Sequence, residues 1–137
     1  MDCIFCRIIS GEIPAVTVYE DDKVCAFMDI NPLNDGHLLI IPKAHAATID
    51  EIGAEDFEAV MSATYKLAGA VKKALNPDGM NVMQLNGKAA NQVVGHLHVH
   101  IVPRWSGDGL TICSWEPVPG DMQRITHVSE EIKSQMG

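Results

Sequence analysis

No stretch of this sequence is apolar for long enough to cross a bilayer as a helix, so a membrane-spanning role is not expected. Positive charge is scarce too. Ten Lys and Arg stand against 18 Asp and Glu, a formal net charge of −8. Such a chain has no basic field to hold a nucleic-acid backbone or an anionic membrane surface, and neither partner is expected. A small phosphorylated ligand survives this argument, because a local site can be electropositive inside an acidic protein. Met1-Asp2-Cys3 lacks the basic start and apolar run of a secretory leader, which makes the cytoplasm the expected compartment. Internal repeats, low-complexity tracts and domain linkers are all missing. The 137 residues, 47% of them hydrophobic, therefore read as one domain large enough to bury a core.

What the sequence does contain is concentrated in His96-Leu97-His98-Val99-His100-Ile101-Val102. Successive side chains of a strand point to opposite faces. The spacing thus predicts a strand with His96, His98 and His100 on one face and Leu97, Val99 and Ile101 in a core on the other. Adjacent imidazoles would sit about 6.6 Å apart at a rise of roughly 3.3 Å per residue. That is too far for one tetrahedral metal to bind all three, and close enough for neighbours to share a phosphate-sized group.

The rest of the chain reads as an α+β domain, an antiparallel sheet of about five strands with one main helix across it. Ile4 to Ile9 forms a short helix ended by Ser10-Gly11. Val16 to Glu20 and Lys23 to Met28 form a hairpin around Asp21-Asp22, and 29–36 is a loop dense in turn residues. His37 to Ile41 is a buried central strand stopped by Pro42. Apolar residues at three- and four-residue steps predict the long helix from about Glu55 to Leu75, ended by Asn76-Pro77-Asp78-Gly79. Met80 to Leu85 is a further strand, with Val82 and Leu85 expected to be buried. Asn86 to Asn91 is a loop of small residues, although no phosphate-binding P-loop motif is present. A Gly- and Pro-rich tail leads to a weak helix from about Asp121 to Ser134. A sheet this small has edges that need cover, so a homodimer is expected.

Chemistry is expected at two places. An imidazole is a competent neutral nucleophile near pH 7 when its other ring nitrogen is held as a donor. His98 is best placed for this, with a histidine on each side; His127, alone in the tail, reads as a surface residue. Cys3 and Cys6 form a Cys-x-x-Cys pair, which in a cytoplasmic protein points to metal or redox chemistry rather than a structural disulfide. A redox role would require a βαβ setting that the pattern does not offer. Two thiolates with His45 and His96 make a set suited to structural Zn²⁺, although the long separations are not those of a compact zinc finger. Cys25 and Cys113 read as buried or incidental thiols.

The histidine row resembles the His-φ-His-φ-His-φ-φ signature (φ is aliphatic) of the histidine-triad, or HIT, superfamily of nucleotide hydrolases and transferases. The same resemblance is carried in order by Cys3-Ile4-Phe5-Cys6, Ala26-Phe27-Met28-Asp29-Ile30, Gly36-His37 through Ile41-Pro42-Lys43-Ala44-His45, Asn86-Gly87 and Asn91-Gln92-Val93-Val94. It spans a core of about 3–105 and leaves 106–137 as a tail.

The resemblance implies that His98 attacks an α-phosphorus and forms a covalent nucleotidyl-histidine. It further implies that His100 handles the phosphate or leaving group and that His37 supports them from a neighbouring strand. It implies a structural zinc on Cys3, Cys6, His45 and His96, as in bacterial members and the related galactose-1-phosphate uridylyltransferases. By matching positions Asp29 would accept from ribose hydroxyls, and Asn86 and Gln92 would donate to phosphate. Phe5, Phe27 and Ile30 would form a slot for the base, where plain core packing explains each singly almost as well. Val93 stands where many relatives have a serine or threonine that contacts phosphate, so that contact would fall to the backbone. The expected function is hydrolysis of purine nucleoside phosphoramidates or related nucleotide conjugates, releasing a nucleoside monophosphate. The alternatives are a diadenosine polyphosphate hydrolase or phosphorylase, and a regulatory nucleotide-binding dimer with slow catalysis.

Overall fold

A computed structural model describes residues 2–137. Five antiparallel strands form one sheet in the order β1-β2-β3-β5-β4, made by β1 (Thr17–Glu20), β2 (Val24–Met28), β3 (Leu38–Pro42), β4 (Gly79–Gln84) and β5 (Val99–Arg104). Three helices accompany it: α1 (Ile4–Ile9), α2 (Ala54–Leu75) and α3 (Met122–Met136). The expected α+β class and strand count hold. None of these helices is long and apolar enough to cross a membrane.

The two faces of the sheet carry different loads, and strand alternation decides which residue goes where. Val24, Ala26, Leu38, Ile40, Val99 and Ile101 pack under Val60, Ala63 and Val71 of α2. On the opposite face Cys25, Phe27, Leu39 and Ile41 pack under Cys3 and Phe5. Both central strands are thus covered twice, which is why β3 is a continuous aliphatic run. α2 is 22 residues long and stops at Asn76, whose left-handed backbone (φ 47°) closes the last turn before Pro77. At Gly36 φ is +85°, and a Cβ there would run into Leu75 and Pro103. That glycine lets the chain enter β3 directly behind His37.

Two expectations need correction. The histidine row is not one strand: regular pairing begins at Val99, so only His100 lies on β5 and His96 and His98 precede it. The cause is the end of the partner strand. β3 reaches Pro42, whose carbonyl is taken by His96 Nε2 (2.9 Å), while the Leu97 N–H bonds Ala46 (2.7 Å) in place of a ladder partner. The segment keeps its alternation nonetheless, with Leu97 and Val99 buried and the rings of His96 and His98 both against Phe5. Val82 is 46% exposed and Leu85 half-buried, because β4 is an edge strand and α2 crosses β2, β3 and β5.

Candidate functional site: a histidine relay beside a thiol–imidazole cluster

Register builds the first half of the site. Phe27 pairs with Leu39, Leu39 with His100, and His100 with Met83, so these four lie in a row across the face that α1 covers. His37, immediately before β3, reaches the same row. Its Nε2 lies 3.0 Å from His100 Nδ1 and 3.6 Å from the Asp29 carboxylate. The other carboxylate oxygen of Asp29 accepts the Asn31 N–H (2.8 Å), which fixes the loop after β2.

Backbone groups set the tautomers. Leu33 N–H donates to His37 Nδ1 (3.0 Å), so the ring proton of neutral His37 sits on Nε2 and points at His100 Nδ1. Neutral His100 then carries its own proton on Nε2. His98 Nδ1 lies 2.7 Å from the His96 carbonyl, which can only accept, so Nδ1 bears the proton and Nε2 is left with a free lone pair. Burial holds the His98 ring below the ordinary histidine range, against the opposing pull of the His96 carbonyl. Burial, reinforced by His98 and His37, pushes His100 down to about 4. His37 is also lowered by burial, with Asp29 acting against it. All three rings are neutral at pH 7.

Two cavities share Asp29, Asn31, Val93, His98 and His100 on their walls. One, about 400 Å³, is an apolar slot between α1 and β2 with Phe5, Phe27 and Ile30 on its lining. Ile4, Ile8, Ile13 and Pro14 complete it. None of these four is among the residues expected at the site, although Ile4 and Ile8 flank Phe5 on the same short helix. The other cavity, about 510 Å³, runs from His37 and Leu33 to Leu110–Cys113 in the tail. Asp29, His37, His98 and His100 therefore come together as expected.

Asn86 and Gln92 do not join them. Asn86 Oδ1 accepts from Ile49 N (2.7 Å) and its amide donates to Gln84 (2.7 Å). Gln92 bonds Gly87 N, Ala47 O and Val94 O. Both side chains brace the loop between β4 and the histidines, with their amide groups already engaged.

The second half of the site is the cluster of Cys3, Cys6, His45 and His96. Their ligand atoms all lie within 4.8 Å of one another. Cys3 Sγ is 3.5 Å, Cys6 Sγ 3.6 Å and His45 Nδ1 3.1 Å from His96 Nδ1, and Cys6 Sγ is 3.3 Å from His45 Nδ1. Tetrahedral zinc, with sulfur at about 2.3 Å and nitrogen at about 2.0–2.1 Å, spaces its ligand atoms about 3.5 Å apart for S···N and about 3.3 Å for N···N. The observed separations match. His96 is also in the right tautomer, since its Nε2 donates to Pro42 and leaves Nδ1 bare toward the thiols. None of the four cysteines is in a disulfide.

The HIT domain family matches residues 10–107. The chain belongs to the HIT family. A HIT-like protein of Methanocaldococcus jannaschii, itself uncharacterised, is 49% identical over 90% of this chain and 95% of its own length. The adenosine 5'-monophosphoramidase hnt1 of Schizosaccharomyces pombe is 39% identical over 99% of both chains. Among solved structures, a HIT-family member from Bacillus subtilis superposes with a TM-score of 0.93 at 36% identity, covering 100% of this chain and 99% of that one. A zinc-bound HIT protein from Mycobacterium smegmatis gives a TM-score of 0.76 at 34% identity, covering 100% and 99%. HIT hydrolases stand among its relatives, and its own Cys/His cluster is able to hold a metal.

Proposed function

We propose that this HIT protein hydrolyses purine nucleoside phosphoramidates or related nucleotide conjugates through a covalent nucleotidyl-histidine on His98, releasing the nucleoside monophosphate. One observation carries the reading. The His98 proton is held on Nδ1 by the His96 carbonyl, and the ring with its free Nε2 lines both cavities.

In the first step the Nε2 lone pair attacks the α-phosphorus as the bond to the leaving group breaks. The leaving group departs with the electron pair and takes a proton from His100 Nε2. In the same movement His100 Nδ1 takes the proton of His37 Nε2–H and His37 is re-protonated from solvent, so both rings stay neutral and the His100 proton has moved to Nδ1. In the second step water attacks phosphorus from the vacated side and passes a proton to His100 Nε2, while His100 Nδ1 returns one through His37 to solvent. His98 leaves with its electron pair restored, and the monophosphate is released. The apolar slot holds the base, with Phe5 edge-on to both Phe27 (5.5 Å) and His98 (5.2 Å). Asp29 at its rim keeps acceptor capacity for ribose hydroxyls.

Zinc on Cys3, Cys6, His45 and His96 is part of the same proposal. Four protein ligands leave no position for substrate, so the ion's contribution is to cross-link α1 to the segment beyond β3. The thiolates it needs suit a reducing cytoplasm. The unpaired outer edge of β4, with Val82 exposed on it, supports a homodimer that covers this edge. Incubation with an adenosine phosphoramidate, acid quench and intact-mass analysis should show an adenylyl adduct that maps to His98. Steady turnover without an adduct, and undiminished in His98→Ala, would overturn the assignment.

A further inference from the structure

The chain leaves β5 through a tight knot centred on Asp108. Its Oδ2 accepts from Arg104 Nε (2.8 Å), Asn34 Nδ2 (2.9 Å) and Trp105 N (3.1 Å). Its Oδ1 accepts from Arg104 Nη2 (3.0 Å) and Leu110 N (3.0 Å). Arg104 also donates to Leu110 O (2.7 Å) and to Asn81 Oδ1 (2.9 Å). The Asp108 side chain is only 10% exposed, and its paired guanidinium holds the carboxyl far below the usual carboxylate range. A bidentate, charge-assisted pair of this kind fixes geometry as well as charge.

What the knot holds is the wall of the second cavity. Both the N–H and the carbonyl of Leu110 are tied to it, and Leu110, Thr111, Ile112 and Cys113 face His98 and His100 across that cavity. Beyond Leu110 the tail reaches α3 with little burial of its own. Leu33, Met83 and Leu85 line the same cavity, and no Lys or Arg side chain does. Resting on the hydrolase reading above, we infer that Asp108 is a positioning residue. It sets the Leu110–Cys113 wall that receives the leaving group, and so selects bulky, apolar leaving groups without negative charge over polyphosphates.

The knot also separates two effects. Asn34 Nδ2 donates to Pro103 O (3.0 Å) as well as to Asp108, and the Asn34 carbonyl accepts His37 N (3.2 Å). Loss of Asp108 therefore frees the tail while the turn carrying the Leu33 N–H keeps its tie to β5. Loss of the Asn34 side chain unties the turn from Pro103, while Arg104 and the Leu110 N–H still hold Asp108 and the tail.

The test compares adenosine 5'-phosphoramidate, whose leaving group is ammonia, with an adenosine phosphoramidate of a bulky aromatic amine. Diadenosine tetraphosphate supplies a charged leaving group. Wild type is expected to prefer the aromatic amide and to turn over the tetraphosphate at least about tenfold less efficiently. In Asp108→Ala, and more mildly in Asp108→Asn, KM for the aromatic amide should rise about tenfold, with kcat/KM for the unsubstituted phosphoramidate within about twofold of wild type. Asn34→Ala should instead lower kcat for both amides. Equal losses on both amides in folded Asp108 variants, or no loss on either, would overturn the inference and leave the hydrolase reading standing. Wild type that prefers the tetraphosphate would overturn the selectivity, and wild type that cleaves no amide would overturn both readings.

Discussion

His37 Nε2 donates to His100 Nδ1 over 3.0 Å, and a main-chain N–H four residues before His37 fixes the direction of that bond. Leu33 N–H occupies the only other nitrogen of His37, so the proton order of two catalytic candidates is written into a turn. Only proline at position 33, which lacks the N–H, would remove it. This arrangement also argues against a metal on Asp29, His37 and His100, whose ligand atoms are close enough to invite one. A cation at His37 Nε2 would have to displace the proton that neutral imidazole must keep there.

His98→Ala should reduce turnover by about a thousandfold or more, because removing the covalent nucleophile leaves only binding and polar stabilisation. The ring is buried but sits at the cavity junction, so the melting temperature and the affinity for nucleoside monophosphate should change little. Calorimetry beside the activity assay separates the two. A parallel loss of monophosphate binding would mean that His98 binds rather than reacts.

Metal analysis should find about one zinc per chain, falling sharply in Cys3→Ser and Cys6→Ser, with a lower melting temperature in each. Cys3 Sγ also accepts the Cys6 N–H (3.4 Å) at the start of α1, so serine there leaves a capping oxygen while removing the thiolate. Metal-free protein of undiminished stability would rule the site out.

Acid should affect stability and activity over a displaced window. His100 protonates at about 4 in the native state, against 6.5 for the free ring. Between those values the unfolded chain binds more protons, so stability is fully present above 6.5 and is lost as pH falls toward 4. Denaturant melts at several pH values should show that slope, and His100→Gln should flatten it. Proton order matters to catalysis as well, since a second proton on His100 would set two N–H groups against each other at His37. The acid limb of kcat/KM should accordingly lie well below the ordinary histidine range.

Gly36→Ala should destabilise by about 1–3 kcal/mol and lower activity beyond what the unfolded fraction explains. The new methyl would press on Leu75 and Pro103 in a left-handed backbone position one residue before His37. Chemical denaturation and kcat measured on the same samples check both parts.

The elements were legible because each carries its own period: a continuous aliphatic run at β3, a 3.6-residue stripe on α2, alternation around His98. Burial on the edge strand was not, since Val82 alternates correctly but lies on an edge strand that α2 does not cross. Asn86 and Gln92 illustrate the same limit in polar form. Their amides find partners at Ile49 and Ala47, nearly 40 residues or more away, and no local pattern announces that. Asp108 read as part of a Gly-rich tail because its meaning depends on Asn34, a residue 74 positions earlier.

His96 does two jobs with different parts of itself. Its imidazole faces the thiols, while its carbonyl orients His98. Only the main-chain oxygen bonds the His98 ring, so the orientation of His98 does not require a metal on the His96 ring, whose Nε2 already holds the segment to Pro42. The tautomer of His98 would therefore survive the loss of both thiols, since neither Cys3 nor Cys6 takes part in the bond that sets it.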